Sequence, residues 1–247
     1  MEILQYQFIN NNFKYSLFFQ NYFRDVRCIN NNVQHSEHQE YTAFFNAINN
    51  FVEKNKVVID IGANSGLFCV PVCLYGYSVI AFEPVKSNLK CLELSIESNQ
   101  LKNLTLSNYA LSNENVKSEI FVPNSPDNAS LIKEISFSNL QDKNVDVEEV
   151  ECYRLDDYLF DNKIDVESIG LVKVDVQGFE LKVIEGMKKL LKDTSELFLI
   201  IEWDKKHSGE YGLQKILDIL REFNFIEVNY PGIVFDGVSG NKIYKKI

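Results

Sequence analysis

From Val57 onward, apolar residues recur in two alternating rhythms. Short, nearly continuous apolar runs suit strands buried on both faces, and stretches with apolar positions three and four apart suit helices packed on them. The strand-like runs are Val57–Ile61, Val79–Phe82, Leu104–Leu111, Ile169–Val174 and Glu196–Ile201. The helical stretches are Ser65–Tyr75, Val85–Ser98, a short one around Leu155–Phe160, Glu180–Leu191 and Gly212–Phe223. In Val85–Ser98 the inward positions are Val85, Leu89, Leu92 and Ile96. Two further β-like runs, Lys117–Val122 and Val145–Cys152, flank a polar loop that opens at Pro123. Phe225–Tyr230 and Lys242–Lys246 read as a strand pair. Strands alternating with helices predict a doubly wound α/β fold with a mostly parallel sheet.

The first 54 residues follow a different pattern. Tyr15, Phe18, Phe19, Tyr22 and Phe23 fall at helical spacing and predict a helix that packs on the domain or covers a cleft. Ser36 with Gln39 resembles a capping box. Tyr41, Phe44, Phe45, Ile48, Phe51 and Val52 then mark one apolar helical face through Lys54. The expected organisation is an N-terminal helical extension over 1–54 and a single domain over 55–247, with no repeat or linker.

Composition narrows the class. A chain of 247 residues with 45% hydrophobic and 24% charged residues is globular rather than disordered. Its net charge of −10 argues against a non-specific nucleic-acid binder, which needs a basic footprint. Five cysteines, odd in number and without a C-x-x-C, support neither a disulfide framework nor a zinc ribbon. Cys69 and Cys73 read as buried thiols, and the pattern suits a reducing compartment, hence a cytoplasmic protein. No secretory signal or membrane-length apolar run is visible. The runs Asn10–Asn12 and Asn30–Asn32 read as compositional bias.

The most informative stretch is Val58-Ile-Asp-Ile-Gly-Ala-Asn-Ser-Gly66, where a buried strand turns into a helix. Gly62 permits a tight turn and close approach of a ligand to the backbone. Gly66 lets the helix lie close to the sheet, and the helix N-terminus presents free N–H groups. The spacing is neither the G-x-G-x-x-G of a dinucleotide site nor a P-loop. Asp60 suits an amino group better than a pyrophosphate. About 20 positions after Gly62, Glu83 ends the second strand, where an acid can accept both hydroxyls of a ribose. A ribose next to a zwitterionic amino-acid tail describes S-adenosylmethionine better than NAD.

At these residues the sequence resembles a known family. VIDIGANSG, AFEP, NYALSNEN, NASL, YRLDDYL and KVDVQGFELKVIEGM are similar, in order, to the signature segments of FkbM-family methyltransferases, from Val57 to Trp203. The resemblance implies an S-adenosylmethionine-dependent methyltransferase on a seven-stranded Rossmann-like sheet whose last strand is antiparallel. It matches Asp60, Gly62, Asn64 and Gly66 to the cofactor loop and Glu83 to the ribose acid, and it sets Ala110 beside the adenine edge. Two departures stand out. Gln177 replaces a frequent Glu in Asp175-Val-Gln177-Gly178, and Pro71 falls inside the first predicted helix, at a cost of up to ~3 kcal/mol.

Transfer of a methyl group to a hydroxyl benefits from a general base at the C-terminal strand ends. Asp175, Glu202 and His207 are the candidates, with Asp204 nearby. Glu180 reads as a helix-start acid, and His35 and His38 as flanks of a helix start. No histidine–carboxylate motif calls for a transition metal; Asp175, Glu202 and Asp204 are the one set that could form an oxygen site for Mg²⁺ or Ca²⁺, and no metal ligand is assigned. Asn128–Leu131, in the insertion after the third strand, is expected to fold over cofactor or acceptor and, with the N-terminal aromatics, to set specificity. The expected activity is O-methylation of a carbohydrate or another small hydroxylated metabolite, with no membrane partner and the oligomeric state open. An RNA or protein methyltransferase on the same fold, or a non-catalytic binding protein retaining it, are the alternatives.

Overall fold

The structure is a computed structural model that describes residues 3–10, 13–20, 36–123, 128–138, 145–233 and 235–247. Tyr22, Phe23, Cys28, His35, Asn11, Asn12 and Asn30–Asn32 lie outside the described residues.

Two short strands, β1 (Ile3–Asn10) and β2 (Phe13–Gln20), precede helix α1 (Ser36–Phe51). The alternation then runs β3 (Val57–Ile61), α2 (Cys69–Leu74), β4 (Ser78–Phe82), α3 (Lys86–Ser98) and β5 (Leu104–Ser107). A second group follows: β6 (Ala110–Leu111), β7 (Val116–Pro123), α4 (Lys133–Ser138), β8 (Val145–Tyr153) and α5 (Leu155–Asp161). The remainder is β9 (Ile169–Val174), α6 (Glu180–Gly186), α7 (Lys188–Asp193), β10 (Phe198–Glu202), α8 (Gly209–Glu222), β11 (Phe225–Val228) and β12 (Asn241–Lys246).

Seven strands form one sheet in the order β11-β12-β10-β9-β3-β4-β5. Neighbours from β10 to β5 pair in parallel, and β12 is antiparallel to both β10 and β11. This is the doubly wound sheet with one reversed strand expected from the sequence. The strands carry few polar residues because both faces are covered. Ile59, Val172 and Leu199 pack under α5 to α8 on one side, while Val58, Leu171 and Ile200 pack under α1 and α2 on the other. A smaller sheet, β6-β8-β7, sits apart with its own apolar cluster.

The N-terminal expectation needs correction. The aromatic stretch begins as the second strand of a hairpin, not as a helix, and its buried apolar residues Tyr15, Leu17 and Phe19 alternate in strand fashion. The wider aromatic spacing is also compatible with helical periodicity, but β2 finds backbone partners in β1 and in α3. Ser16 N–H donates to Asn99 Oδ1 at 2.9 Å, and Phe18 N–H donates to Ser95 Oγ at 3.1 Å. These residues share a core with α1, β3 and β4.

Three predicted elements are shorter or split. The strand predicted over Leu104–Leu111 divides at Asn108–Tyr109. Ser107's carbonyl accepts from Glu83 N–H at 3.1 Å, and Ala110 turns away to pair with Cys152. The helix predicted over Glu180–Leu191 breaks at Met187, where Gly186 lies against the Ser112 carbonyl so closely that a Cβ would be 1.9 Å from it. Asp156 then caps the new helix start, accepting from Lys189 N–H and Leu190 N–H at 2.9 Å each. The first helix begins only at Cys69, which puts Pro71 in its first turn, where its missing N–H costs little. Cys69, Cys73, Cys91 and Cys152 are free and buried.

Candidate active site

The C-terminal ends of β3, β4, β9 and β10 lie side by side, and Asp60, Gly62, Asn64, Glu83, Asp175 and Glu202 lie on these ends or on the turns that follow them. Glu83, just past β4, is buried and accepts three hydrogen bonds. Asn64 N–H reaches its Oε2 at 2.8 Å, and Val85 N–H and Asn88 Nδ2 reach its Oε1 at 2.9 and 3.3 Å. Burial pushes its carboxyl up to about 7, against the pull of those donors. Asn64 thus ties the glycine turn to the acid through its backbone, from a left-handed conformation with φ 52°. Ala110 is buried in the small apolar cluster beside Val85, next to the acid's own turn.

The two glycines serve nearer neighbours than a ligand. Gly62 has φ 80°, and a Cβ there would stand 1.9 Å from the Asp175 carbonyl oxygen. A Cβ on Gly66 would stand 2.6 Å from Leu92 Cδ1 and 2.9 Å from Val70 Cγ2, so its smallness admits both α3 and the start of α2.

Asp60 is wholly buried in β3, and neither of its carboxylate oxygens has a hydrogen-bond partner. Its charge is answered by Lys173 Nζ at 3.6 Å, although burial still pushes its carboxyl up. Lys173, itself buried in β9, donates to Asp175 Oδ2 at 3.0 Å. Burial works against the Asp175 charge, yet Lys173, Glu202 and Gln177 together hold its carboxyl below the ordinary range. The Asp175 side chain remains 31% exposed.

Gln177 Nε2 lies 3.1 Å from Asp175 Oδ1 and 3.2 and 3.0 Å from the two Glu202 oxygens. The expected pairing of Asp175 and Glu202 is therefore present, with an amide between them. Burial, followed by the charges of Asp175 and Glu180, raises Glu202 well above an ordinary glutamate. Glu180 does more than start a helix. It accepts from Val176 N–H and Gly178 N–H at 3.2 and 3.0 Å and from Ser208 Oγ at 2.8 Å, so it, rather than Asp175, caps the turn.

His207 packs on Gly178, its Cβ and carbonyl 3.2 Å from where a Cβ of that glycine would sit. Its N–H donates to Asp204 Oδ1 at 2.9 Å, and Nδ1 is 3.6 Å from Asp204 Oδ2. The insertion reaches the same turn: Ser130 Oγ donates to the Gln177 carbonyl at 2.8 Å, and a Cβ on Gly178 would lie 2.2 Å from Ile135 Cδ1. Among the described residues no group of three or more His, Cys, Asp or Glu side chains could hold a metal ion.

Residues 60–227 match the family described as the Methyltransferase FkbM domain. The chain belongs to the FkbM methyltransferase family. Its chemistry is methyl transfer, with S-adenosylmethionine as the donor. Over 214 residues the chain is 29% identical to the 2-O-methyltransferase NoeI of Sinorhizobium fredii, covering 76% of this chain and 79% of that protein. The fold resembles the T. thermophilus 16S rRNA N2 G1207 methyltransferase RsmC, solved with AdoMet and guanosine, at TM-score 0.52 and 10% identity; the match covers 99% of this chain and 51% of that one. A further resemblance, at TM-score 0.49 and 12% identity, is to the magnesium protoporphyrin IX methyltransferase ChlM of Synechocystis PCC 6803, covering 93% and 86% of the two chains. No helix of the described residues is long and apolar enough to cross a membrane.

Sequence reasoning on this FkbM methyltransferase missed Lys173, and it placed Ser130 in a covering loop without assigning it a partner. Lys173 did leave a signal. A lysine within the otherwise apolar run Ile169–Val174 must be paired if the strand is buried. The partner of Ser130 is a backbone carbonyl, which no side-chain pattern announces.

Proposed function

We propose that this chain transfers the methyl group to a hydroxyl of a carbohydrate or another small metabolite. The observation that carries this reading is the Asp175–Gln177–Glu202 arrangement, partly open at the strand ends beside the glycine turn. Lys173 holds the Asp175 carboxyl below the ordinary range, while burial and the neighbouring acids push Glu202 well above it. The name of NoeI, a 2-O-methyltransferase, supports a hydroxyl acceptor.

The residues fit the cofactor. Asp60 keeps two oxygens without a hydrogen-bond donor, which suits the amino group of the methionine part. Glu83 Oε2 receives only the Asn64 N–H, leaving acceptor capacity for ribose hydroxyls. Gly62, Asn64 and Gly66 shape the turn that carries these groups, and Ala110 borders the adenine. When bound, S-adenosylmethionine supplies a methyl group already activated on a sulfonium. Asp175 takes the proton from the acceptor hydroxyl as its oxygen becomes nucleophilic. Lys173 holds Asp175 charged until then, and Glu202 limits the negative charge beside it. His207 buttresses the turn at Gly178. Positioning of this kind supplies roughly 7–11 kcal/mol, and the base adds roughly 10²–10⁴-fold. The four described cysteines, free and buried, suit the cytoplasm.

The test is to incubate the protein with methyl-tritiated S-adenosylmethionine and fractionated extracts of the source cells. Label should enter the glycan or small-metabolite fraction, and Asp175→Asn should reduce transfer at least roughly 100-fold while cofactor affinity holds. Label in RNA or protein instead would overturn the reading of the acceptor. Full transfer by Asp175→Asn would remove it as the base.

A further inference from the structure

Gln177 occupies a place where an ordinary side chain would do harm. It stands between two carboxylates, in a left-handed conformation with φ 52°. Its backbone carbonyl is fixed from the other side by the buried Ser130 at 2.8 Å. The groups that face this point come from every neighbouring element. Lys173 and, behind it, Asp60 come from β9 and β3; Asp175 and Glu202 come from the ends of β9 and β10. Glu180 comes from α6 with both oxygens engaged, and Asp204 with His207 from the loop after β10. Lys173 thus answers two acids, Asp60 and Asp175, while Glu202 and Glu180 lie on the far side of Asp175.

We propose that Gln177 is a positioning residue: its amide nitrogen joins Asp175 and Glu202 into one unit, in the place that a bridging cation would take. The assignment rests on the proposed role of Asp175 as the base. An amide is the one common side chain that donates two hydrogen bonds at this spot without adding charge. A glutamate would add a fifth acid and would require either a further proton or a metal ion. An aliphatic residue of similar length would leave Asp175 and Glu202 with only their direct contact and no donor to the charged form of either from this position. Gln177 therefore links the pair without adding charge, donating to Asp175 and to both oxygens of Glu202. The neutral clamp also sets the direction in which Asp175 presents its free lone pairs.

The experiment uses the full chain loaded with S-adenosylhomocysteine, so its readouts do not depend on knowing the acceptor. Glutamate carboxyls carry ¹³C, Glu202→Gln assigns the Glu202 signal, and a pH titration follows it. In the wild type, Glu202 should titrate well above the ordinary glutamate value of about 4.3. In Gln177→Leu the midpoint should rise further, by about one pH unit or more, because a donor to the charged form is gone. Gln177→Glu should bind Ca²⁺ in calorimetric titration with CaCl₂ alone, where the wild type gives no binding heat. Gln177→Asn, too short to span both acids, serves as the second variant if Leu is not tolerated, and thermal melts verify folding. An unchanged Glu202 midpoint in folded Gln177→Leu or Gln177→Asn, together with no Ca²⁺ binding by Gln177→Glu, overturns the proposal. That result would leave the base untouched. Loss of the base reading would instead show as full transfer by Asp175→Asn with the NMR shifts still present.

Discussion

Replacing Gly62 with alanine tests how the two turns of the site fit together. The added Cβ would stand 1.9 Å from the Asp175 carbonyl oxygen, whereas ordinary contact begins near 3.4 Å, so that carbonyl must retreat by about 1.5 Å. Two costs follow. A non-glycine residue at φ 80° costs roughly 1–2 kcal/mol, and the forced contact roughly 1–3 kcal/mol more. The sum is about 2–5 kcal/mol, which for a chain of this size lowers Tm by roughly 4–20 °C. The displaced carbonyl belongs to the proposed base. A misplacement near 1 Å can cost about 10²-fold in rate, so transfer should fall at least as far as stability suggests. Calorimetry on Gly62→Ala and wild type gives the first quantity, and isothermal titration with S-adenosylmethionine separates it from a loss of cofactor. A Tm within about 1 °C of wild type would refute the argument, since no close contact could then exist at that position.

Glu83 gives a pH effect with a definite sign. Its carboxyl is raised to about 7, above its value in the unfolded chain, so its contribution to stability is greatest below the ordinary glutamate range and declines as pH rises toward 7. The full swing is about 3 kcal/mol, and Glu83→Gln should flatten that part of the stability curve measured by urea unfolding. Cofactor affinity should run the other way, strengthening between pH 6 and 8 as the carboxylate forms, and titration calorimetry at both pH values should find no such trend in Glu83→Gln. Lys173→Met leaves Asp60 and Asp175 without their shared cation and should destabilise by roughly 3–5 kcal/mol in denaturant unfolding; a neutral result would mean that the buried acids are already protonated. Asp156→Ala strips the cap from two N–H groups at the start of α7 and should cost about 1–3 kcal/mol, read as a shift in urea midpoint at constant m-value.

Periodicity served well where burial was two-sided. Val57–Ile61 and Ile169–Val174 were legible to the residue because strands covered on both faces admit almost no polar positions. It failed where contacts decide between patterns that local sequence leaves open. The hairpin at the N-terminus is fixed by hydrogen bonds to Ser95 and Asn99, some eighty residues away. The helix break at Met187 follows from the Ser112 carbonyl pressing on Gly186. Within the site, Asp60, Glu83, Asp175 and Glu202 announced themselves as acids at strand ends. The loop carrying Ser130 was marked, but its partner was not, because that partner is a main-chain carbonyl, and the closeness of Gly62 to Asp175 is a property of two adjacent turns that neither segment carries alone.

The sheet order has a consequence for biosynthesis. β12 lies between β10 and β11, yet it follows both in the chain. Among the sheet strands, β11 pairs with β12 alone, and β10 has β12 on one flank. A nascent chain that has released everything through residue 240 therefore holds β11 without a sheet partner and β10 with an open hydrogen-bonding edge. That edge includes Glu202, which pairs with Asn241. Long-range pairing of this kind is slow, and an unpaired edge invites the wrong partner. Until β12 docks, the apolar strand β10 should stay open to chaperones, and the docking of β12 should close that segment to them.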